Sequence, residues 1–173
     1  MRAALGKRMV RPAELPEESL LHSYAIRPEC YTDCYATSVK QTVSFPEYVS
    51  AFYTTPLFRL ERFILRIGLR RPSSDTDVEN LALGMSESFA VWQVENRSAN
   101  QILLREFTGA TRSWLMVQPD AGTGSTRLYF GSAVVPKPGK AHPGPVFRML
   151  LGFHKLYSRS LLAAARRRLS SFS

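Results

Sequence analysis

The chain has 173 residues, 45% of them apolar and 21% charged, and a net charge of +9. That balance excludes general disorder, and a domain of this length buries roughly two-thirds of its unfolded surface, enough to fold without a metal or disulfide staple. No apolar run approaches the ~18 residues of a membrane span. No apolar stretch follows the basic first ten residues as a secretory signal would require, so a cytoplasmic protein is expected.

Residues 1–30 carry Pro12, Pro16 and Pro28 and no sustained periodicity. They read as an irregular N-terminal arm, with one short turn near Glu17–His22. From Tyr31 to Val43 the residues alternate, and β-branched and aromatic types are frequent, which predicts a strand. Cys30 and Cys34 flank its start. Four residues of strand rise hold their Cα atoms about 13 Å apart, beyond the roughly 7 Å a disulfide tolerates, so two reduced thiols are expected.

Ser44 and Pro46 then open a short helix, with Val49, Phe52 and Tyr53 on its apolar side. Pro56 opens a second, in which Leu57, Leu60 and Ile64 recur at helical steps. Residues 73–80 read as a polar stretch leading to Leu81–Gly84. Four strands follow, at Ser86–Asn96, Gln101–Phe107, Thr111–Gln118 and Ser125–Val135. Their short connections imply an antiparallel meander. After the Pro/Gly-rich loop 137–145, a helix is predicted over Val146–Ser170, long enough at 1.5 Å per residue to cross a whole sheet.

Strands and helices do not alternate as a parallel sheet requires, so the class is α+β: a curved antiparallel sheet wrapped around the long C-terminal helix, with two short helices after the first strand. That helix divides into two sides at 100° per residue. Phe147, Leu150, Leu151, Phe153, Tyr157, Leu161, Leu162 and Ala165 share one half. Arg148, Lys155, Arg159 and Arg166 form a basic stripe on the other. His154 and Ser158 intrude on the apolar half, where burial demands partners or a ligand. The basic stripe is part of a wider asymmetry: the nine bases after Asp120 face no acid, while the first 120 residues hold fourteen of each sign. It is either a solvated face or a docking surface for an anionic membrane or acidic partner.

The stretch Gly144-Pro-Val-Phe-Arg-Met-Leu-Leu-Gly-Phe-His-Lys-Leu-Tyr-Ser-Arg-Ser-Leu-Leu162, with Phe89-Ala-Val-Trp-Gln-Val-Glu95 and Thr111-Arg-Ser-Trp-Leu-Met-Val117, resembles an uncharacterised bacterial branch of the START-like, or helix-grip, superfamily, which includes polyketide cyclases and lipid-transfer domains. The resemblance covers residues 31–168. It implies a single domain over residues 31–170, with a seven-stranded sheet gripping the last helix and a cavity between them. The sequence itself supplies only five of those strands.

Candidate cavity residues are His154 and Ser158 on the helix; Trp92, Trp114, Met116 and Tyr129 in the meander; and Phe58 and Arg62 on the second short helix. Arg112 shares strand parity with Trp114 and Met116. It is either a ligand anchor or the partner of Glu61, Glu95 or Glu106, because a buried guanidinium requires an anion.

No motif marks a catalyst. Gly122-Thr-Gly-Ser-Thr126 lacks phosphate-loop spacing, Gly84-Met-Ser-Glu-Ser88 is no nucleophile elbow, and His22, His142 and His154 have no metal-ligand spacing. Arg166-Arg-Arg168 comes without a stacking platform for nucleic acid. No cofactor is expected.

The sequence therefore points to a binding or carrier module for a small apolar or amphipathic molecule, with a cavity of several hundred Å³. A surface-interaction protein using the basic helix face is the alternative. A cyclase- or hydratase-type enzyme with His154 as base is a third reading.

Overall fold

Strand-forming residues dominate five stretches, and each stretch ends where a turn residue intervenes. Gly109 and Gly124 adopt φ of +75° and +60° in two of the connections of the meander, values open to glycine at no steric cost. The computed structural model describes residues 9–59, 73–136 and 145–171, with side chains from residue 155 onward in the last span.

The elements in chain order are β1 (Arg11–Pro12), α1 (His22–Ala25), β2 (Tyr31–Val39), α2 (Phe45–Tyr53), α3 (Asp75–Ala82), β3 (Ser88–Phe89), β4 (Trp92–Ser98), β5 (Gln101–Glu106), β6 (Thr111–Asp120), β7 (Ser125–Val134) and α4 (Pro145–Ser170). Every neighbouring pair of strands is antiparallel, and the sheet runs β1-β2-β7-β6-β5-β4-β3. The chain is thus α+β, a seven-stranded antiparallel sheet with a C-terminal helix. No helix among the described residues is long and apolar enough to cross a membrane.

Two strands beyond the five expected are each two residues long. The predicted strand 86–96 is in fact two, because Ala90 takes φ +53° and folds Phe89 back to pair with Trp92. The expected polar stretch 73–80 is also different, since most of it is α3. Ser74 accepts from Asp77 N at 3.2 Å while the Asp77 carboxylate accepts from Ser74 N, a reciprocal cap that satisfies two otherwise unpaired donors. Val78, Leu81 and Ala82 then anchor one side of α3 in the core. The same device starts α2, where Ser44 and Glu47 cap each other ahead of Pro46. Helical turn Pro56–Arg59 follows α2, and the rest of the predicted second short helix lies outside the described residues.

Both faces of the sheet are covered. On one, Tyr35, Ile102, Leu104, Leu115, Leu128 and Phe130 pack against α2 and the Leu161–Leu169 part of α4. On the other, Cys34, Leu103, Trp114, Met116 and Tyr129 lie under Leu21 and Tyr24 of the N-terminal arm. The arm is therefore packed, with α1 and β1 as its only regular pieces among the described residues. Gln101 fastens it: its Oε1 accepts from Leu20 N at 2.9 Å and Trp114 Nε1 at 2.8 Å, and its Nε2 donates to Glu18 O at 3.0 Å.

Burial raises the phenols of Tyr24, Tyr31, Tyr35, Tyr48 and Tyr129 above the ordinary tyrosine value. Tyr48 is fully buried and donates to Tyr129 O at 2.9 Å. A raised folded-state pKa means the folded chain keeps protons that the unfolded chain releases. The stabilisation is thus complete below the unfolded value of about 10 and is lost as pH climbs toward the folded one. Denaturant titrations should show stability falling above about pH 10, with Tyr48 contributing a slope of at most about 1.4 kcal/mol per pH unit. Tyr48→Phe should flatten that slope; an unchanged slope would remove Tyr48 as its source.

Candidate functional site

Strand alternation sends odd-numbered residues of β2 and β6, and even-numbered residues of β7, to the helix-covered face. One row across the sheet is polar there: Asp33, Ser132 and Ser113 are successive partners in register on β2, β7 and β6. Ser132 Oγ donates to Asp33 Oδ1 at 2.6 Å, and Ser113 Oγ lies 3.1 Å from the Tyr53 hydroxyl at the end of α2.

Beside this row, between the sheet and α4, is a cavity of about 190 Å³. Phe52 and Phe58 close one side, Trp92 of β4 another, and Phe130 rises from the sheet. Tyr157, Ser158 and Leu161 of α4 form the roof. The aromatic rings are held by one another: Phe52 and Phe130 have centroids 4.9 Å apart, Tyr53 and Phe58 4.8 Å, and Phe58 and Phe89 6.2 Å. Such offset and edge contacts fix ring orientation. The wall is thus mostly apolar with a few placed hydroxyls, the usual make-up of a small-molecule site. Trp92 Nε1 is buried and has no acceptor among the described residues.

Of the residues predicted to line a cavity, Phe58, Trp92 and Ser158 meet at this one. Ser158 is 1% exposed. Trp114, Met116 and Tyr129 do not meet there: they belong to the arm-covered face. Trp114 bonds Gln101, and the Tyr129 hydroxyl donates to Gln118 Oε1 at 3.0 Å. The side chains of His154 and Arg148, and all of Arg62, lie outside the described residues.

Arg112 borders the cavity, yet its guanidinium is committed to the opposite face. Nε donates to the Tyr24 hydroxyl at 2.8 Å and sits 2.6 Å from Glu95 Oε2, and Nη1 donates to Gly109 O at 2.8 Å. A register shift in β4 between Val94 and Asn96 lets Glu95 reach this cluster, as bulges re-aim a side chain. Of the acids considered as its partner, Glu95 is paired with it, and Glu61 lies outside the described residues. Arg112 thereby holds Tyr24 of the arm.

Sequence reasoning missed Ser113, Ser132, Phe52 and Phe130 as cavity residues. A signal for the first two existed, since Ser113 has opposite parity to Trp114 on a strand otherwise rich in large apolar residues.

On α4, Lys155 and Arg159 are exposed as the basic stripe requires, whereas Arg166 is half-buried. Arg168, from the basic triplet, donates to Thr54 O at 3.1 Å and so ties the helix end to α2. Cys30 and Cys34 are free thiols, and burial pushes that of Cys34 up to about 12. No group of potential metal ligands occurs among the described residues.

No protein-family model and no curated protein matches the chain. Five solved chains do. One is a conserved protein of unknown function from Enterococcus faecalis, 10% identical over 86% of this chain and 80% of that one, with a TM-score of 0.38. At that similarity no property passes from one chain to the other.

Proposed function

We propose that this chain is a helix-grip, START-like binding module that holds a small apolar or amphipathic molecule between its sheet and its C-terminal helix. The observation that carries this reading is the apolar cavity of about 190 Å³ between the helix-covered face and α4. An unfilled apolar recess of that size forfeits packing contacts along its lining, a cost that a resident ligand offsets. The hydroxyls of Ser113, Ser132 and Ser158 then orient the ligand, and the aromatic wall excludes water from it.

Xenon tests the reading without any assumption about ligand polarity, because it enters dry apolar cavities. Under xenon pressure, resonances of Phe52, Phe130 and Leu161 should shift while those of the arm-covered Met116 remain in place. Absence of any response at the lining residues would overturn the binding module.

A further inference from the structure

The dimensions and chemistry of the same wall narrow the class of ligand, resting on the binding role just proposed. At about 190 Å³ the cavity is below the roughly 300–1,000 Å³ of sites for drug-sized ligands. It is somewhat larger than the roughly 150 Å³ of an apolar cavity that holds one benzene. One ring fills the recess; a long acyl chain would extend beyond it. Phe52, Phe58, Trp92, Phe130 and Tyr157 all contribute to the wall. Phe52 touches Phe130 and Phe58 at centroid distances of 4.9 and 6.4 Å, so their orientations are set before anything binds. Preset ring faces and edges favour a flat π-system over a puckered ring of equal size. The polar side of the cavity is the pair Ser113 and Ser132, adjacent in register on β6 and β7.

We infer that the ligand is a single planar aromatic ring bearing one small polar substituent, with the ring among Phe52, Phe130 and Tyr157 and the substituent toward Ser113 and Ser132. The full chain, isotope-labelled, is titrated with phenol, cyclohexanol and dodecanoate, with xenon as the control for the cavity itself. Phenol should shift Phe52, Phe130 and Ser132, cyclohexanol should bind about tenfold more weakly, and dodecanoate should leave these resonances unmoved. Ser158→Leu, which places a larger side chain in the cavity from α4, should abolish the phenol response in a chain whose other resonances are retained; if that variant does not fold, the unmodified chain still decides. Equal binding of phenol and cyclohexanol, or preference for dodecanoate, would overturn the aromatic class while the xenon response upheld the cavity. Silence toward xenon and all three probes would overturn both.

Discussion

Replacing Gly131 by alanine should lower stability by about 1–3 kcal/mol, the usual cost of forcing a methyl into a packed interior. A Cβ there would lie 2.7 Å from Leu21 Cδ2, 2.9 Å from Asp33 O and 3.0 Å from Trp114 Cε3. Leu21 has some freedom to retreat. Asp33 O does not, because it belongs to the β2–β7 ladder in which Gly131 pairs with Cys34. The Trp114 ring is fixed by its bond to Gln101. The strain thus falls on the contact between sheet and arm. For a chain of this length the melting temperature should drop by roughly 2–4 °C per kcal/mol. Adding Leu21→Ala should cost less in the Gly131→Ala background than in the parent, because removing the Leu21 side chain relieves the clash that the added methyl creates. Strict additivity, or a loss below about 0.5 kcal/mol, would show that the arm does not press on the sheet at this point.

A second large effect is expected where the arm is held by charge. The side chains of Arg112 and Glu95 are 9% and 27% exposed. Glu95→Leu leaves the guanidinium buried with two neutral acceptors and a phenol, and should cost toward the lower end of the roughly 3–5 kcal/mol seen when one member of a buried pair is removed. Arg112→Met in addition should recover most of that loss, since a well-packed apolar pair is often as stable as the ion pair it replaces. Urea denaturation of the two single variants and the double variant measures this directly. If the double variant is as unstable as Glu95→Leu, then the carboxylate matters through Tyr24, whose hydroxyl it also binds, and not through Arg112.

These two sites also explain what could and could not be read from the sequence. Helix α4 was legible because twenty-six residues give the amphipathic pattern many turns in which to repeat. The start of α2 and the turns between β4, β5, β6 and β7 were legible because Ser, Pro, Asn and Gly act there through local chemistry. Helix α3 escaped notice because eight residues are too few for periodicity, although Ser74 and Asp77 stood at capping distance.

The two faces of the sheet were the harder problem. A strand with one wet face alternates, but Gln101–Leu104 and Arg112–Val117 are buried at every position, as expected when both faces are covered. Parity grouped Arg112, Trp114 and Met116 correctly on one face. It had no means of telling which face met the helices, because the cover on the other side comes from an arm without periodicity. The residues that line the cavity are consequently the quieter ones of opposite parity, Ser113 on β6 and Ser132 on β7.

The pairing of β2 with β7 bears on how the chain acquires its structure. Strands β3 to β7 are linked by short turns, so each hairpin closes a small loop. The Asp33–Ser132 contact spans 99 residues, and the entropy of closing a loop rises with its length. Such long-range pairing is the slow part of folding. The meander should therefore assemble early and present β7 as an unpaired edge until β2 arrives and brings the arm with it. During synthesis β2 exists well before its partner, and its aromatic and β-branched side chains stay uncovered in that interval. That interval is when this chain is most exposed to aggregation, and substitutions that weaken the arm should lengthen it.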